Sequence, residues 1–214
     1  VANDLIRKNP NANVELEPPK EYEPSVYDKE QFLKLLRFVR GKDEEIPIIL
    51  GAGCGFRRGE ICGIAWSDID FETKRISIET TRVRFNEDIE KSPKTRKSKR
   101  TTLAPDYVID TLQRYRIAKG NPLGSEKVIT RWKPQSLSER FRNLLKEFNL
   151  PPTRLHDLRH YNATLMMEQD IPDRVAAERL GHSNITMLRR YQLVLKDMDE
   201  LAAEKINSTF PEDI

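Results

Sequence analysis

The chain has 214 residues, 37% of them hydrophobic and 33% charged, a balance that suits one main domain of a soluble protein. Its 37 basic and 34 acidic residues leave a formal net charge of only +3, so any strong field must come from local clustering. No stretch approaches the roughly 18 apolar residues that span a bilayer, and no leader pattern opens the sequence, which points to the cytoplasm and away from membrane-bound or secreted classes. The first residue is Val1 rather than Met, so a fragment of a longer protein is expected. Cys54 and Cys62 are expected to be free, buried thiols and not a metal site.

Residues 1–27 hold Pro10, Pro18, Pro19 and Pro24 among Asn, Glu and Lys, and read as a linker or extended arm. A helix starts at Asp28, where Asp28 and Gln31 form a capping box ahead of Phe32, Leu35, Leu36 and Val39. A second helix fits 44–53, with Pro47 confined to its first turn, and a third fits 57–66 with Ile61, Ile64 and Ala65 facing inward. After Trp66 the period changes: Ile69, Phe71, Ile76, Ile78, Thr80 and Val83 alternate about the turn Glu72-Thr73-Lys74 as a small antiparallel sheet. A further strand over 100–103 leaves 91–99 as an exposed connection or hairpin tip. Helical periodicity then returns over 106–119, 135–148, 156–169, 172–180, 184–195 and 197–207. The expected fold is mainly α with a small three-stranded antiparallel β-sheet, an α+β domain over 28–207 followed by a tail over 208–214.

Four segments carry chemistry. In His156-Asp157-Leu158-Arg159-His160, histidines at i and i+4 share a helix face and suggest zinc ligands, but Asp stands where a metalloprotease has Glu. Arg159 would also set a fixed cation about one turn from the metal. The alternative pairs the His156 imidazole with the forked Arg159 guanidinium for the oxygens of a phosphodiester. A plain helix start with a solvated Arg and a satisfied His is the third possibility. Gly55-Phe56-Arg57-Arg58-Gly59-Glu60-Ile61 puts an arginine at a helix start, favourable for an anion, with Glu60 placed to hold it. Ordinary i, i+3 pairs on a surface helix would look the same. Six of the ten residues 91–100 are basic, a density that suits a nucleic-acid backbone or simply a solvated charge run. Last, Leu180-Gly181-His182 precedes Tyr191 by a span that lets both line one cleft, although a buried structural Tyr fits equally.

In this order the four segments resemble the catalytic domain of the tyrosine recombinases, the phage integrase family. The likeness rests on the arginine box at Arg57, a lysine on a β-hairpin, His156-x-x-Arg159, the Leu-Gly-His box ending at His182, and Tyr191 nine residues beyond it. The resemblance implies that Arg57 and Arg159 clamp the scissile phosphate and that Tyr191 attacks it, leaving a 3′ phosphotyrosyl link. It further implies that Lys94 protonates the leaving 5′ oxygen, that His156 assists proton transfer or orients the phosphate, and that His182 donates a hydrogen bond to it. Glu60 would support Arg57, and His160 would be structural. Arg58, Lys91, Arg96, Lys97, Lys99 and Arg100 would bind DNA. The implied partners are double-stranded DNA and, in the full-length protein, further copies forming a tetramer. No metal or other cofactor is implied, and the setting is the cytoplasm of a bacterium, phage-encoded or chromosomal, at the nucleoid. Three rivals remain: a type IB topoisomerase, a helical DNA-binding module without catalysis, and a zinc hydrolase using His156 and His160.

Overall fold

A computed structural model of the chain describes residues 25–85, 87–91 and 99–181. Helix α1 (Lys29–Val39) opens on the expected capping box, in which Asp28 Oδ1 accepts the Gln31 N–H at 2.7 Å and Gln31 Oε1 accepts the Asp28 N–H at 3.2 Å. Helix α2 (Glu45–Cys54) is apolar on every side, which suits only a fully enclosed helix. Helix α3 (Arg58–Gly63) and a 3-10 turn at Trp66–Asp68 lead to five strands: β1 (Ile69–Asp70), β2 (Arg75–Ile78), β3 (Thr81–Phe85), β4 (Glu87–Lys91) and β5 (Arg100–Leu103). Four helices follow, α4 (Asp106–Ala118), α5 (Pro134–Glu147), α6 (Asp157–Glu168) and α7 (Asp173–Leu180). The central helix α2 packs against α1, α3, α4 and α6. Among the described residues no helix is long and apolar enough to cross a membrane.

The three-stranded antiparallel sheet is present, in the order β1-β2-β5. Ile76 stands opposite Ile69 on one side and Thr102 on the other, and Ile76, Ile78 and Thr102 all turn into the core. Two expectations need correction. Thr80 and Val83 do not continue this sheet; Val83 belongs to a separate two-stranded hairpin, β3–β4, in which Thr81 pairs with Lys91 and Phe85 with Glu87. Strand β4 reads Glu-Asp-Ile-Glu-Lys, and its charge hides a strand from a search for apolar alternation.

The third helix is also shorter than the expected 57–66. Its backbone turns extended at Ile64, because a later segment competes for the same groups: the Val128 N–H donates to the Ile64 carbonyl at 3.0 Å and the Trp66 N–H to the Glu126 carbonyl at 3.0 Å. Tertiary pairing overrides local helical preference there. At the other end, Tyr27 falls inside the expected linker but is 4% exposed, and its hydroxyl donates to the Pro151 carbonyl at 2.5 Å. The Thr153 hydroxyl in turn donates to the Ser25 carbonyl at 2.6 Å. Residues 1–24, the hairpin connection 92–98, the expected helices at 184–195 and 197–207 and the tail 208–214 lie outside the described residues.

One large core joins α1 to α6 and the sheet, and a smaller cluster of Ala163, Met166, Met167, Ala176, Ala177 and Leu180 joins α6 to α7. Cys54 and Cys62 are free and buried, and burial pushes both thiols up to about 12, which leaves them inert. The β3–β4 hairpin is anchored by a close approach. Gly59 and Gly63 lie one turn apart on α3, where a Cβ at Gly63 would stand 2.6 Å from the Thr80 carbonyl oxygen and one at Gly59 2.9 Å from that of Arg82. The Gly63 carbonyl also accepts from the Thr80 hydroxyl at 2.9 Å and from Lys127 Nζ at 2.8 Å. Gly63→Ala must push helix and hairpin apart, so equilibrium denaturation should show a loss of about 1–3 kcal/mol. An unchanged midpoint would mean that the two elements separate freely.

Candidate functional site

Arg57 immediately precedes α3, and Glu60 at the third helical position reaches back to it. Glu60 Oε2 accepts the Arg57 main-chain N–H at 2.8 Å, capping the helix, while Oε1 accepts Arg57 Nη1 at 2.9 Å. Arg100, the first residue of β5, closes the other side of the same carboxylate: Nη1 donates to Oε1 and Nη2 to Oε2, each at 3.0 Å. Glu60 is 3% exposed, Arg100 7% and Arg57 35%. Burial alone would raise the Glu60 carboxyl, but hydrogen bonding and charge from Arg100, and then from Arg57, outweigh it and hold it below the usual carboxylate range.

Arg159 projects from the first turn of α6 and is 1% exposed. Its Nη1 donates to the Gly55 carbonyl at 2.5 Å and its Nη2 to the Leu180 carbonyl at 2.7 Å. The neighbouring carbonyls are taken the same way: Arg100 Nε donates to Arg179 at 2.9 Å and Arg57 Nη2 to Gly181 at 3.1 Å. Residues 179–181 form the end of α7, where carbonyls have no partner within the helix. Three guanidiniums from three separate elements therefore meet at one helix terminus. Gly181, at φ 64°, lets the chain leave that terminus, and a Cβ there would stand 2.9 Å from Arg100 Nη1.

His156 stands just ahead of α6, in a cleft of about 940 Å3 that also presents Arg57, Arg58, Arg142 and Arg154. Its ring is open to the cleft, yet surrounding protein displaces enough water that lost solvation, followed by the positive charges of His160, Arg159 and Arg57, lowers its pKa to about 4 against the opposing pull of Asp157. The His160 ring meets it edge-on, with centroids 5.3 Å apart. His160 is itself shifted down, by burial and by Arg159, with Asp157 opposing; its Nε2 lies 3.8 Å from Asp157 Oδ1. Asp157 is buried and turned back onto the loop before its helix, accepting the Arg154 N–H at 3.0 Å. Among the described residues no three His, Cys, Asp or Glu side chains gather as a metal site would require.

The structure thus brings together Arg57, Glu60, His156, Arg159 and His160. It places Arg58 on the rim, where Nη1 donates to Ser138 Oγ at 2.9 Å. Lys99 is exposed and pairs with Glu79 at 3.2 Å, and Lys91 ends β4. Arg100, expected among the DNA-contacting residues, is instead buried against Glu60, because the shared carboxylate and the helix end hold all three of its nitrogens. Lys94, Arg96, Lys97, His182 and Tyr191 lie outside the described residues. Arg142 and Arg154 were not singled out in the sequence, though both line the cleft. Spacing could have found Arg142, which follows Ser138 by one turn on α5. Nothing local marks Arg154.

Comparison with known proteins gives the same outline. The profile of the phage integrase family matches residues 26–197. The XerC-like tyrosine recombinase of Caldanaerobacter subterraneus is 28% identical over 218 residues, covering 89% of this chain and 56% of that protein. An integrase of Saccharopolyspora erythraea is 31% identical over 136 residues, 57% of this chain and 31% of that one. The chain therefore spans about half, or less, of the length of these relatives. Among solved structures, the integrase of transposon Tn1549 in complex with transposon right end DNA superposes with a TM-score of 0.72 at 24% identity, over 92% of this chain and 73% of that one. The XerA recombinase superposes with a TM-score of 0.65 at 19% identity, over 82% and 61%. These likenesses establish the fold, a tyrosine recombinase catalytic domain. With four fifths of its length under the family profile, the chain belongs to the phage integrase family.

Proposed function

We propose that this chain is the catalytic domain of a site-specific DNA recombinase, cutting and rejoining strands through a 3′ phosphotyrosyl intermediate. The observation that carries the reading is a basic cleft lined by Arg57 and His156, with Arg159 buried behind it and bonded, like Arg57, to the helix end that precedes His182 in sequence. Tyr191 Oη gives up its proton to water or to the neutral His156 ring and attacks the scissile phosphorus, the bond to the 5′ oxygen breaks, and Lys94 gives that oxygen its proton. Arg57 and Arg159 stabilise the charge added at the phosphorus, a role in which donors fixed beforehand need no reorganisation. His182 adds a hydrogen bond to the same group. A 5′ hydroxyl from another strand then attacks the phosphotyrosyl bond and releases the phenol. One phosphodiester is exchanged for another of similar energy, so the covalent link conserves what hydrolysis would lose, and no metal or nucleotide enters.

His156, with its pKa lowered to about 4, is neutral at pH 7 and presents either a donor or an acceptor to the phosphate without adding charge. Glu60 keeps Arg57 in place, and Asp157 and His160 set the start of α6. Arg58, Arg142 and Arg154 supply phosphate contacts along the cleft, and Lys91, Arg96, Lys97 and Lys99 extend them along the hairpin connection. The bound transposon end in the Tn1549 integrase structure supports double-stranded DNA as the substrate. A tetramer assembled on DNA at the bacterial nucleoid, with residues 1–24 as the arm to a further DNA-binding domain, completes the reading.

Three measurements test it. The chain has three histidines, so imidazole proton shifts can be assigned by His156→Gln; His156 should titrate near 4, far below its ordinary 6.5. The unfolded chain then binds more protons between those values, so the stability gained by keeping the ring neutral is complete above pH 6.5 and is lost as the pH falls toward 4. A midpoint at or above 6.5 would contradict the electrostatics of the site. Arg142→Ala should weaken binding to duplexes of any sequence and reduce the slope of log K against log salt by about 0.9; an effect on one sequence alone would assign Arg142 to base reading. Incubated in EDTA with a nicked suicide duplex, the chain should form a covalent DNA adduct that Tyr191→Phe abolishes. Either an adduct surviving that change or activity that requires zinc would overturn the reading.

A further inference from the structure

Arg100 was expected to meet DNA, since it closes a run in which six of ten residues are basic. Its geometry says otherwise. The guanidinium is 7% exposed, with its Cζ 5.4 Å from the centroid of the Phe56 ring. All three nitrogens are used: two on the Glu60 carboxylate and Nε on the Arg179 carbonyl. A phosphate could reach this group only by displacing a buried, doubly bonded carboxylate.

We propose, building on the recombinase reading above, that Arg100 is a positioning residue: it locks the exit of the lysine-bearing connection, the Glu60 brace of Arg57 and the turn before His182 into one rigid unit, and touches no phosphate. Each part of that unit has a separate contact. Arg100 is the first residue after the connection 92–99, so its anchorage fixes where that connection returns to the fold. Its two bonds to Glu60 leave Oε1 and Oε2 each also bound to Arg57, so the carboxylate cannot rotate without breaking bonds on both sides. Its Nε bond to the Arg179 carbonyl, and the tight approach of Nη1 to Gly181, set the path of the chain into His182. Lysine cannot substitute, because a single ammonium lacks the planar fork that reaches two carboxylate oxygens and a carbonyl at once.

The test compares the chain with Arg100→Lys, Arg100→Ala and Arg142→Ala on the nicked suicide duplex. DNA affinity is measured across a salt series and the rate of adduct formation at saturating DNA. Displacement of the reacting groups by about an ångström costs on the order of 100-fold in rate, and that loss is expected for both Arg100 variants while Kd and its salt slope stay as in the unaltered chain. Millimolar guanidinium, far below denaturing levels, should restore cleavage to Arg100→Ala by refilling the vacated fork and should do nothing for Arg142→Ala. A salt slope lower by about 0.9 with an unchanged rate at saturation would make Arg100 a phosphate ligand and overturn the proposal. So would cleavage at the unaltered rate, or the loss of native circular dichroism in both Arg100 variants, which would make its role one of folding alone. No adduct from the unaltered chain would instead sink the recombinase reading, and this proposal with it.

Discussion

The end of α7 is the point on which the site depends. A helix terminus exposes carbonyls that must find donors outside the helix, and here the donors come from arginines at the start of α3, the start of β5 and the first turn of α6. Elements far apart in sequence are thus registered against one another by the unmet hydrogen-bonding demand of a single helix. The negative end of the helix dipole favours cations there in any case. What is unusual is the use made of it, since a capping requirement that a lysine or a glycine turn could satisfy instead gathers the fixed cations that the proposed chemistry needs.

Charge follows from the choice of partners. A guanidinium oriented by carboxylates is largely neutralised, whereas one oriented by carbonyls keeps its charge for an incoming anion. Arg159 has two main-chain carbonyls as partners, and Arg57 and Arg100 share the one carboxylate of Glu60. One carboxylate is thus shared by two guanidiniums, and the site holds an excess of positive charge in a largely buried setting where it is weakly screened. The same excess reinforces what desolvation begins at His156: lost solvation is the larger cause that keeps this imidazole neutral, and protonating it would also add a cation beside Arg159 and Arg57.

Sequence legibility divides along the same physical line. Elements set by their own side chains were readable: the Asp28–Gln31 capping box, the apolar stripe of α1, the alternation of β2 and the helices α4 to α7 within a residue or two at each end. Elements set by distant partners were not. The end of α3 at Gly63 depends on residues 126–128, β4 depends on its pairing with β3, and the hairpin is seated by glycines whose role needs the Thr80 and Arg82 carbonyls to be in view. In the site, Arg57, Glu60, His156 and Arg159 stood out by their order and spacing. Arg100 was legible as a basic residue but not as a buried one, because composition counts charge and cannot say which carboxylate meets it. Arg154 owes its place in the cleft to the loop before α6, which has no periodic signal.

Packing explains why arginines rather than apolar contacts must fix α7, the last of the described helices. The cluster between α6 and α7 is built from alanines and methionines with Leu180, apart from the large core that holds α2 and the sheet. Alanines bury little area, and methionine is a compliant filler that tolerates shifts of its neighbours. Such a seam leaves α7 weakly determined in rotation and slide. Hydrogen bonds involving a charged group contribute about 1.5–3 kcal/mol each and are directional, so three of them on consecutive carbonyls specify a position that the small apolar seam does not. The position of Gly181, the last described residue, therefore rests on the arginine contacts and only weakly on the hydrophobic core.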